Sequence, residues 1–501
     1  MKLQPKDGPL TEQEIDRGLK MVILDGLTTE VMIAFTGGTF LVAMALLLGA
    51  SNVQIGLLAA LPTVTNLSQL ISIWLVRRYN NRRAIAVYCA YLARIPLILI
   101  GCSILWMHNM SVTILLFFLF FHYFFGSVAG PSWNSWMKDM IPEEVLGIYF
   151  SRRTRYTQSL NVVLSIALAF LLDYVRSRSP HNELAVYALF FIIAGVIGIA
   201  GGYLLSKAPE PRSQLSDASL LTLFRLPLRD PNFRRLLLFN SSWVFAINIA
   251  IPFFPVFMMK SLGLPIAYII VLSVISQLFS ILTLRIWGVF SDRYSNKSII
   301  GLSAPIYIGC IIAWCFVGIF RQYYLNMGLL ALIHIFSGIA TAGINLSLTN
   351  IGLKLAPRED AIVYLSVKNI ITAFFSSLAP LAGGLLADYF ANRKLTVAMQ
   401  WEGPGIHKAF KLVALHEWNF LFLIGALLAL LSLKVLMRVH EVGEVHKDTV
   451  RRIMRSSVRK NLKEYFLIGD IISWHEQLVA LFRFRRKKHI RKGPPPASRP
   501  T

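Results

Sequence analysis

Long apolar runs dominate this chain, and short polar segments separate them. Runs such as 111–121 (SVTILLFFLFF) and 419–433 (NFLFLIGALLALLSL) contain no charged residue. A helix needs about 20 apolar residues to cross the hydrocarbon core of a bilayer. The pattern predicts twelve such helices, near residues 21–48, 53–75, 84–107, 111–133, 157–175, 183–205, 235–258, 265–288, 298–319, 324–350, 361–389 and 417–437.

Composition favours a membrane protein over a large soluble helical protein. Hydrophobic residues make up 55% of the chain, charged residues only 15%, and the mean hydropathy is +0.58. These values exclude an ordinary soluble protein. The polar residues 1–20 lack a short apolar core followed by a small-residue cleavage site, so we predict no removable signal peptide. The first apolar span would itself direct membrane insertion.

The chain contains an internal repeat whose matching residues are 215 positions apart. Asp173-Tyr174 recurs as Asp388-Tyr389, and the offset holds without a gap. Further matches are Tyr79 with Tyr294, Asn81 with Asn296, Pro142 with Pro357, Glu144 with Glu359, Tyr149 with Tyr364 and Ser151 with Ser366. Two copies of one membrane unit that share an interface are typical of secondary transporters. We therefore predict an all-α membrane protein built from two pseudo-symmetric six-helix bundles.

Positive charges in the short loops predict the orientation, because Lys and Arg are retained on the cytoplasmic side. They cluster after the second and fourth spans, as Arg77, Arg78, Arg82, Arg83, Lys138, Arg152, Arg153 and Arg155. The loops after the first and third spans carry none. The longer loop after span eleven is the exception to this distribution, because it is predicted to lie outside but carries Arg393, Lys394, Lys408 and Lys411. Both termini are therefore predicted to be cytoplasmic.

These features divide the chain into five predicted segments. They are a cytoplasmic N-terminal segment (1–18), a first bundle (19–206), a cytoplasmic linker (207–233), a second bundle (234–440) and a basic cytoplasmic tail (441–501). Apolar residues at helical spacing within 450–463 predict an amphipathic helix on the inner leaflet. Two interpretations of the tail stay open, namely docking of lipid or a partner, and a solvated segment that only fixes the topology.

The charge and the motifs exclude several functions. We attribute the net charge of +24 to loops and a tail that face anionic lipid, and not to nucleic-acid binding. The chain has no P-loop, no Gly-rich dinucleotide turn and no nucleophile elbow. Its cysteines lie in predicted spans without the paired spacing of a zinc site, as Cys89, Cys102, Cys310 and Cys315. We predict no metal site, no cofactor and no enzymatic activity.

Residues 288–297 (GVFSDRYSNK) carry a recognisable loop motif. Gly288, Asp292, Arg293 and Lys297 match Gly-x-x-x-Asp-Arg-x-x-Gly-[Arg/Lys] of the major facilitator superfamily, with Asn296 where glycine is usual. The chain resembles that family. The resemblance implies a twelve-helix permease in which the Asp292 carboxylate is part of a cytoplasmic latch that favours the outward-open state.

The proposed partners of this latch leave two interpretations. Pseudo-symmetry in the family implies that Arg152, Arg153 or Arg155 pairs with Asp292. The alternative is that these arginines only belong to a positive-inside loop. The first-half copy of the motif (IWLVRRYNNR) also departs from the pattern, because Arg77 replaces the aspartate and Ile73 replaces the glycine. Arg77 cannot accept a helix-capping hydrogen bond, although it can pair with an acid.

Other motifs refine the resemblance. His122 precedes Gly126 by four residues where family members often have arginine, and His334 precedes Gly338 in the same way. Residues 133–156 are similar to a bacterial branch of the superfamily whose substrates are poorly defined. The antiporter motif of the fifth helix, Gly-Pro-x-x-Gly-Gly, is missing from span five, which weakens the case for drug export.

Five ionisable residues inside predicted spans are candidates for proton coupling or substrate binding: Asp25, Glu30, Arg94, His122 and His334. A charge at the bilayer centre costs about 2.5–3.5 kcal/mol on insertion scales, so such residues are usually functional. Glu30 is the main candidate, since a desolvated carboxylate can load and release a proton. Arg94, close to the midplane, or His122 is its expected partner. A purely structural Glu–Arg pair is the alternative.

The remaining candidates also have structural interpretations. Asp25 is expected near the interface, as a helix-end charge pair, and its repeat counterpart is the neutral Asn240. His122 and His334 would either titrate near neutral pH or serve as hydrogen-bonded packing residues.

The sequence thus predicts a monomeric permease of a bacterial cytoplasmic membrane. It would move a small solute by rocking two halves about a midplane site, driven by protons. Its partners would be the solute, protons and membrane lipids. The alternative hypothesis is a transporter fold that no longer transports and serves as an assembly scaffold.

Overall fold

The computed structural model describes residues 10–106, 110–141, 143–211, 225–293, 295–318, 322–357, 361–403 and 406–441. About half of the predicted linker, residues 212–224, and nearly all of the basic tail lie outside these ranges. The predicted amphipathic tail helix therefore stays a prediction.

Within these described ranges, twelve helices are long and apolar enough to cross a membrane, which confirms the predicted all-α membrane class. We number them α1 (Glu12–Leu47), α2 (Asn52–Tyr79), α3 (Arg82–Trp106), α4 (Val112–Met140), α5 (Glu143–Arg178), α6 (Glu183–Leu205), α7 (Pro231–Lys260), α8 (Ile266–Arg293), α9 (Asn296–Phe316), α10 (Tyr323–Leu355), α11 (Ala361–Phe390) and α12 (Trp418–Leu436). A short helix, Arg225–Arg229, precedes α7, and a 3₁₀ turn, Pro180–Asn182, precedes α6.

Two spans are interrupted at equivalent places. α1 consists of Glu12–Thr36 and Gly38–Leu47, and α7 consists of Pro231–Asn248 and Phe253–Lys260. Gly38 adopts a φ of +56°, which an L side chain tolerates poorly. Pro252, which precedes the second piece of α7, is 215 residues after Gly37. Interrupted helices in corresponding positions of two repeats are a mark of transporter folds.

Packing inside the two halves follows the same scheme. The contacts α1–α6, α3–α4, α3–α6, α2–α4 and α1–α5 recur in the second half as α7–α12, α9–α10, α9–α12, α8–α10 and α7–α11. Each contact maps onto its partner when six is added to both helix numbers. The internal repeat therefore corresponds to two six-helix bundles of the same architecture.

Several repeated residues have equivalent structural roles. Tyr149 donates a hydrogen bond to the Leu19 carbonyl at 2.9 Å, which ties α5 to α1. Its counterpart Tyr364 packs edge-on against Phe233 at 4.7 Å, which ties α11 to α7. This pair of matching residues therefore helps to hold each bundle together.

Each bundle also has a carboxylate that caps its third helix. Glu210, just beyond α6, accepts the backbone N–H groups of Arg82 and Arg83 at 2.8 and 3.1 Å. Glu441, just beyond α12, accepts those of Asn296 and Lys297 at 3.2 and 2.8 Å. A negative charge at a helix N-terminus is stabilising, because it satisfies unpaired N–H groups and opposes the helix dipole.

The loop after α11 contains a β-hairpin that the sequence interpretation missed. Strand β1 (Lys394–Gly403) pairs antiparallel with β2 (Ile406–His416), with a register shift between Val397 and Ala398. Between the two strands the sequence reads Gly403-Pro404-Gly405, and Gly and Pro are residue types that favour turns. A hairpin in this polar loop is not indicated by the long apolar runs that predict the membrane spans.

Candidate functional site

A cavity of about 540 Å³ lies inside the first half of the molecule, and all six of its helices line it. The cavity extends from mid-depth, near Pro62 and His122, to Ala86 near the start of α3 and Leu205 at the end of α6. Its titratable lining groups are Asp25, Arg94, His122, Tyr123 and Arg153. The other polar lining residues are neutral: Thr29, Thr65, Asn66, Gln69, Ser127 and Asn134.

Arg94 places a guanidinium deep in α3, with 9% of the residue exposed. Its Nη1 donates to the Ala90 carbonyl of its own helix at 2.8 Å. Helix α6 makes room for this side chain at Gly198, where a Cβ atom would lie 2.6 Å from Arg94 Cγ. The buried Nε of Arg94 has no hydrogen-bond partner among the described residues. The cation therefore retains a donor that the protein does not use.

Arg153, on α5, supplies a second guanidinium. It lies against α1 at Gly26, where a Cβ atom would be 2.8 Å from its Nε. Its Cζ also lies 5.2 Å from the centre of the Trp133 ring, a cation–π contact between α5 and α4. Within the described part of the chain, its buried Nε again has no hydrogen-bond partner.

Asp25 is the carboxylate of this cavity, and it is 6% exposed. The charges of Arg94 and Arg153 both act on it, although none of the described ion pairs includes it. Its buried Oδ1 has no hydrogen-bond partner in the described residues and faces Gly201 of α6, where a Cβ atom would lie 3.3 Å away. The sequence placed Asp25 near a helix end, but the structure brings it together with Arg94.

His122 is held in place by one hydrogen bond. Its Nδ1 lies 2.7 Å from the carbonyl oxygen of Ala93 on α3. Because a carbonyl only accepts, Nδ1 carries the proton in this contact. The imidazole is therefore fixed at the cavity wall, and the charge of Arg94 acts on it.

Glu30 has a different partner from those suggested by the sequence. Its Oε1 accepts a hydrogen bond from Asn161 Nδ2 of α5 at 2.8 Å, and its side chain is half-buried. The charge of Arg153 acts on it, but Glu30 is not among the residues that line the cavity. Neither Arg94 nor His122 is its hydrogen-bond partner.

His334 does not join the other candidates. It is buried in the second half, where its Nδ1 bonds the Leu330 carbonyl of its own helix at 2.8 Å and its ring packs edge-on against Trp314. By the repeat offset of 215 residues, the counterpart of His122 is Ser337 and not His334. His334 lies three residues before Ser337, and three residues of an α-helix span about 300°, which is about 60° short of a full turn. The two histidines therefore lie on different parts of their helix surfaces and face different surroundings.

The second half carries different groups at the positions equivalent to Asp25 and Arg153. Asn240, the counterpart of Asp25, donates to Thr372 at 2.6 Å. Lys368, the counterpart of Arg153, donates its ammonium to the Leu348 carbonyl at 2.8 Å and is 8% exposed. These groups are satisfied by the protein itself, so unpartnered charges of this kind belong to the first half among the described residues.

Two aspartates join the halves at the end where α2 and α8 begin. Asp173, at the end of α5, accepts the backbone N–H groups of Ile266 and Ala267 at 3.0 and 2.8 Å. Asp388, at the end of α11, accepts the Val53 N–H and the Asn52 side-chain amide at 3.2 and 2.9 Å. These two carboxylates and the two helix N-termini that they cap are called the clasp below.

The clasp is reinforced by close packing of α2 against α11. A Cβ atom at Gly56 would lie 2.2 Å from the Pro380 carbonyl oxygen, and one at Gly384 would lie 2.6 Å from the Asn52 carbonyl oxygen. Deeper between α5 and α8, Gln277 donates to Gln158 at 2.7 Å. The sequence interpretation noticed the repeat of Asp173 and Asp388 but assigned them no role.

The predicted cytoplasmic latch is only partly described. The side chains of Asp292 and Arg293 lie outside the described residues, so their pairing with Arg152 or Arg153 stays a prediction. Lys297 donates through Nζ to the Met437 carbonyl at 3.3 Å, while Arg77 and Arg152 are exposed. Gly288 does not mediate a close helix contact here, since a Cβ atom there would meet only Leu346 at 4.0 Å.

Two repeats with interrupted first helices, a cavity inside the first half and one closed end are features of a multi-pass membrane transporter. A family model described as the Major Facilitator Superfamily matches residues 27–380. The chain belongs to this superfamily, and it is a transporter and not an enzyme. None of the curated proteins matches the chain in sequence.

Solved structures share the fold at low sequence identity. A point mutant of the nucleoside transporter NupG is 14% identical, with a TM-score of 0.63, and the match covers 85% of this chain and 100% of that one. A bacterial homologue of the human lysosomal transporter Spinster, inward-facing and unoccupied, is 15% identical, with a TM-score of 0.58 and coverage of 91% and 99%. A bacterial homologue of the iron transporter ferroportin, inward-facing, is 11% identical, with a TM-score of 0.58 and coverage of 86% and 99%.

Proposed function

We propose that this protein is a secondary active transporter that moves a small solute by alternating access, with protons as the coupling ion. The observation that carries the proposal is the combination of the clasp with the cavity. The clasp joins the two halves at one end of the bundle. The cavity, with its unpartnered charges, extends from mid-depth toward the opposite end. A site that reaches only one end is what a rocking-bundle transporter presents in one of its two states.

Two carboxylates support proton coupling. Asp25 lines the cavity together with two guanidiniums whose charges act on it, and Glu30 lies further along the same helix, hydrogen-bonded by Asn161. Taking up a proton removes the charge of either carboxylate and so changes the field in the cavity. A coupling site needs a group whose protonation alters solute binding or the conformational equilibrium, and these two carboxylates are the candidates for that role.

The loop charges support a bacterial cytoplasmic membrane with both termini inside. Under the positive-inside rule, the ends of α2 and α4 face the cytoplasm. The clasp then faces outward, and the cavity extends toward the cytoplasm. We further propose that the chain functions as a monomer and that its basic tail contacts anionic lipid.

Purified protein in proteoliposomes with an internal pH-sensitive dye tests this function. An imposed pH gradient should dissipate faster when a transported solute is added, and protein-free liposomes control for leak. Saturable solute flux without proton movement would support the transport function but contradict proton coupling. No saturable flux with any member of a broad solute panel would favour the scaffold hypothesis.

A further inference from the structure

We propose that the transported solute is a small organic monoanion whose carboxylate binds between Arg94 and Arg153. The proposal rests on the transport function proposed above and names the substrate class of the same cavity.

The first argument is the charge balance of the cavity. Its lining holds the two guanidiniums of Arg94 and Arg153 and the single carboxylate of Asp25. The net charge of these groups is one positive charge. Glu30 is hydrogen-bonded by Asn161 and interacts with the charge of Arg153, but it lies outside the lining, so the surface that faces a solute carries the net positive charge. A positively charged surface in a membrane interior favours binding of an anion, and a bound monoanion would balance the charge of the lining.

The second argument is the unused donor capacity of both arginines. Among the described residues, the two guanidiniums make one hydrogen bond, from Arg94 Nη1 to the Ala90 carbonyl, although both residues line the cavity and offer further terminal N–H donors. Buried donors are nearly always satisfied when a side chain serves packing alone. Two guanidinium groups offer planar, charge-assisted donors, and a carboxylate is the group whose geometry they match best.

The third argument concerns the rest of the solute. A cavity of about 540 Å³ is far larger than one carboxylate requires. Around the charges, the lining combines apolar or small residues, such as Met32, Pro62 and Ala90, with neutral polar ones, such as Asn66 and Gln69. This lining suits an organic body attached to the anionic group, with apolar surface and room for a few further polar groups, and not an inorganic anion.

The test compares carboxylates with their neutral amide isosteres. Thermal unfolding of the purified full chain in detergent is measured with benzoate against benzamide and hexanoate against hexanamide, and with phenyl phosphate as a dianion. A ligand that binds the folded state raises the unfolding temperature. We expect stabilisation by at least one carboxylate and none by its amide. Equal stabilisation by acid and amide, or by phenyl phosphate alone, overturns the proposal, as does stabilisation by no member of the panel.

Variants then locate the site. Arg94→Gln and Arg153→Gln should each weaken carboxylate binding by about tenfold or more, because each removes a charge-assisted pair. Arg176→Gln is the matched control, since the Arg176 side chain is 54% exposed and pairs at 3.9 Å with Glu183, away from the cavity. Unchanged affinity in both cavity variants, or an equal loss in the control, overturns the proposal.

Folding and function are kept separate. If a Gln variant does not fold, Arg94→Lys and Arg153→Lys provide the test, because lysine keeps the positive charge but lacks the planar pair of guanidinium donors. They should weaken carboxylate binding severalfold at an unchanged unliganded unfolding temperature, and unchanged binding counts against the site. In proteoliposomes, flux of a neutral solute without flux of carboxylates supports the proposed transport function and contradicts the monoanion proposal. Carboxylate binding without any flux supports the monoanion site and contradicts the transport function.

Discussion

At the residue scale, the glycines of α6 explain how charged side chains fit inside a packed bundle. Gly198 lies against the stem of Arg94, and Gly201 lies against Thr28 and Asp25. A bulkier residue at these positions would occupy the space of the charged groups. The site therefore depends on the absence of side chains at these two glycines of α6 as much as on the charged residues of α1 and α3.

Gly201→Ala should destabilise the protein. The added Cβ would lie 2.1 Å from Thr28 Oγ1, so α1 or α6 must shift, and such overpacking typically costs about 1–3 kcal/mol. Gly309→Ala is the control, because a Cβ atom there meets nothing within 4 Å. We expect a lower unfolding temperature in detergent for Gly201→Ala and an unchanged or higher one for Gly309→Ala. Equal temperatures for the two variants would contradict this account of α6.

Glu30→Gln should abolish proton-driven transport and leave the fold intact. The amide oxygen of glutamine can still accept the hydrogen bond that Asn161 donates to Glu30 at 2.8 Å, but the group can no longer bind and release a proton. The measurement is solute flux in proteoliposomes with and without a pH gradient, with Asp25→Asn assayed in parallel. Gradient-driven flux that persists at the wild-type rate in Glu30→Gln rejects Glu30 as the coupling site.

Sequence alone identified most of the relevant charges, but not their pairing. The cost of charge in a bilayer singled out Asp25, Arg94 and His122, and the structure places all three at one cavity. It could not show that Glu30 turns toward Asn161, because that depends on the rotation of α1 against α5. Arg153 was assigned to a loop or latch, and its position against Gly26 follows only from the packing of α5.

At the element scale, the clasp shows how the repeat creates a joint between the halves. Asp173 of the first half caps α8 of the second half, and Asp388, 215 residues later in the second half, caps α2 of the first half. The repeated aspartates were visible in the sequence. Their partners were not, because each partner lies in the other half and its position depends on the relative orientation of the two bundles.

Asp173→Asn and Asp388→Asn should each weaken the closure of the clasped end. The amide loses the charge that favours a helix N-terminus, a contribution of about 0.3–1 kcal/mol per site, and up to ~2 kcal/mol when partly buried. Spin labels at the exposed Ser179 and Asn392, one in each half at this end, should show a larger population of long distances. The double variant should exceed either single one.

The control for the clasp is Glu183→Gln. Glu183 lies at the same end but pairs with Arg176 inside its own half. Its distance distribution should match that of the unsubstituted chain. If the clasp variants also leave the distribution unchanged, the two aspartates do not hold the halves together.

At the scale of the whole molecule, the two halves share a scaffold but differ in chemistry. Helix contacts, interrupted first helices and capping carboxylates recur in both. Among the described residues, Asp25, Arg94 and Arg153 of the first half each have a buried polar atom without a hydrogen-bond partner, whereas Asn240 and Lys368 of the second half are hydrogen-bonded by the protein. We infer that the first half binds the solute and that the second half moves against it.

If the halves rock, a wedge at the clasped end should expose the cavity to the outside. Gly56→Leu provides one, because its Cβ would lie 2.2 Å from the Pro380 carbonyl oxygen, a backbone atom that cannot rotate away. In a background with the four native cysteines replaced, Thr29→Cys in the cavity should react at least about tenfold faster with an impermeant maleimide added outside. Gly309→Leu, in open space, is the control. Labelling that stays slow in Gly56→Leu would mean that the bundles do not separate at this end, and the rocking mechanism would then fail for this protein.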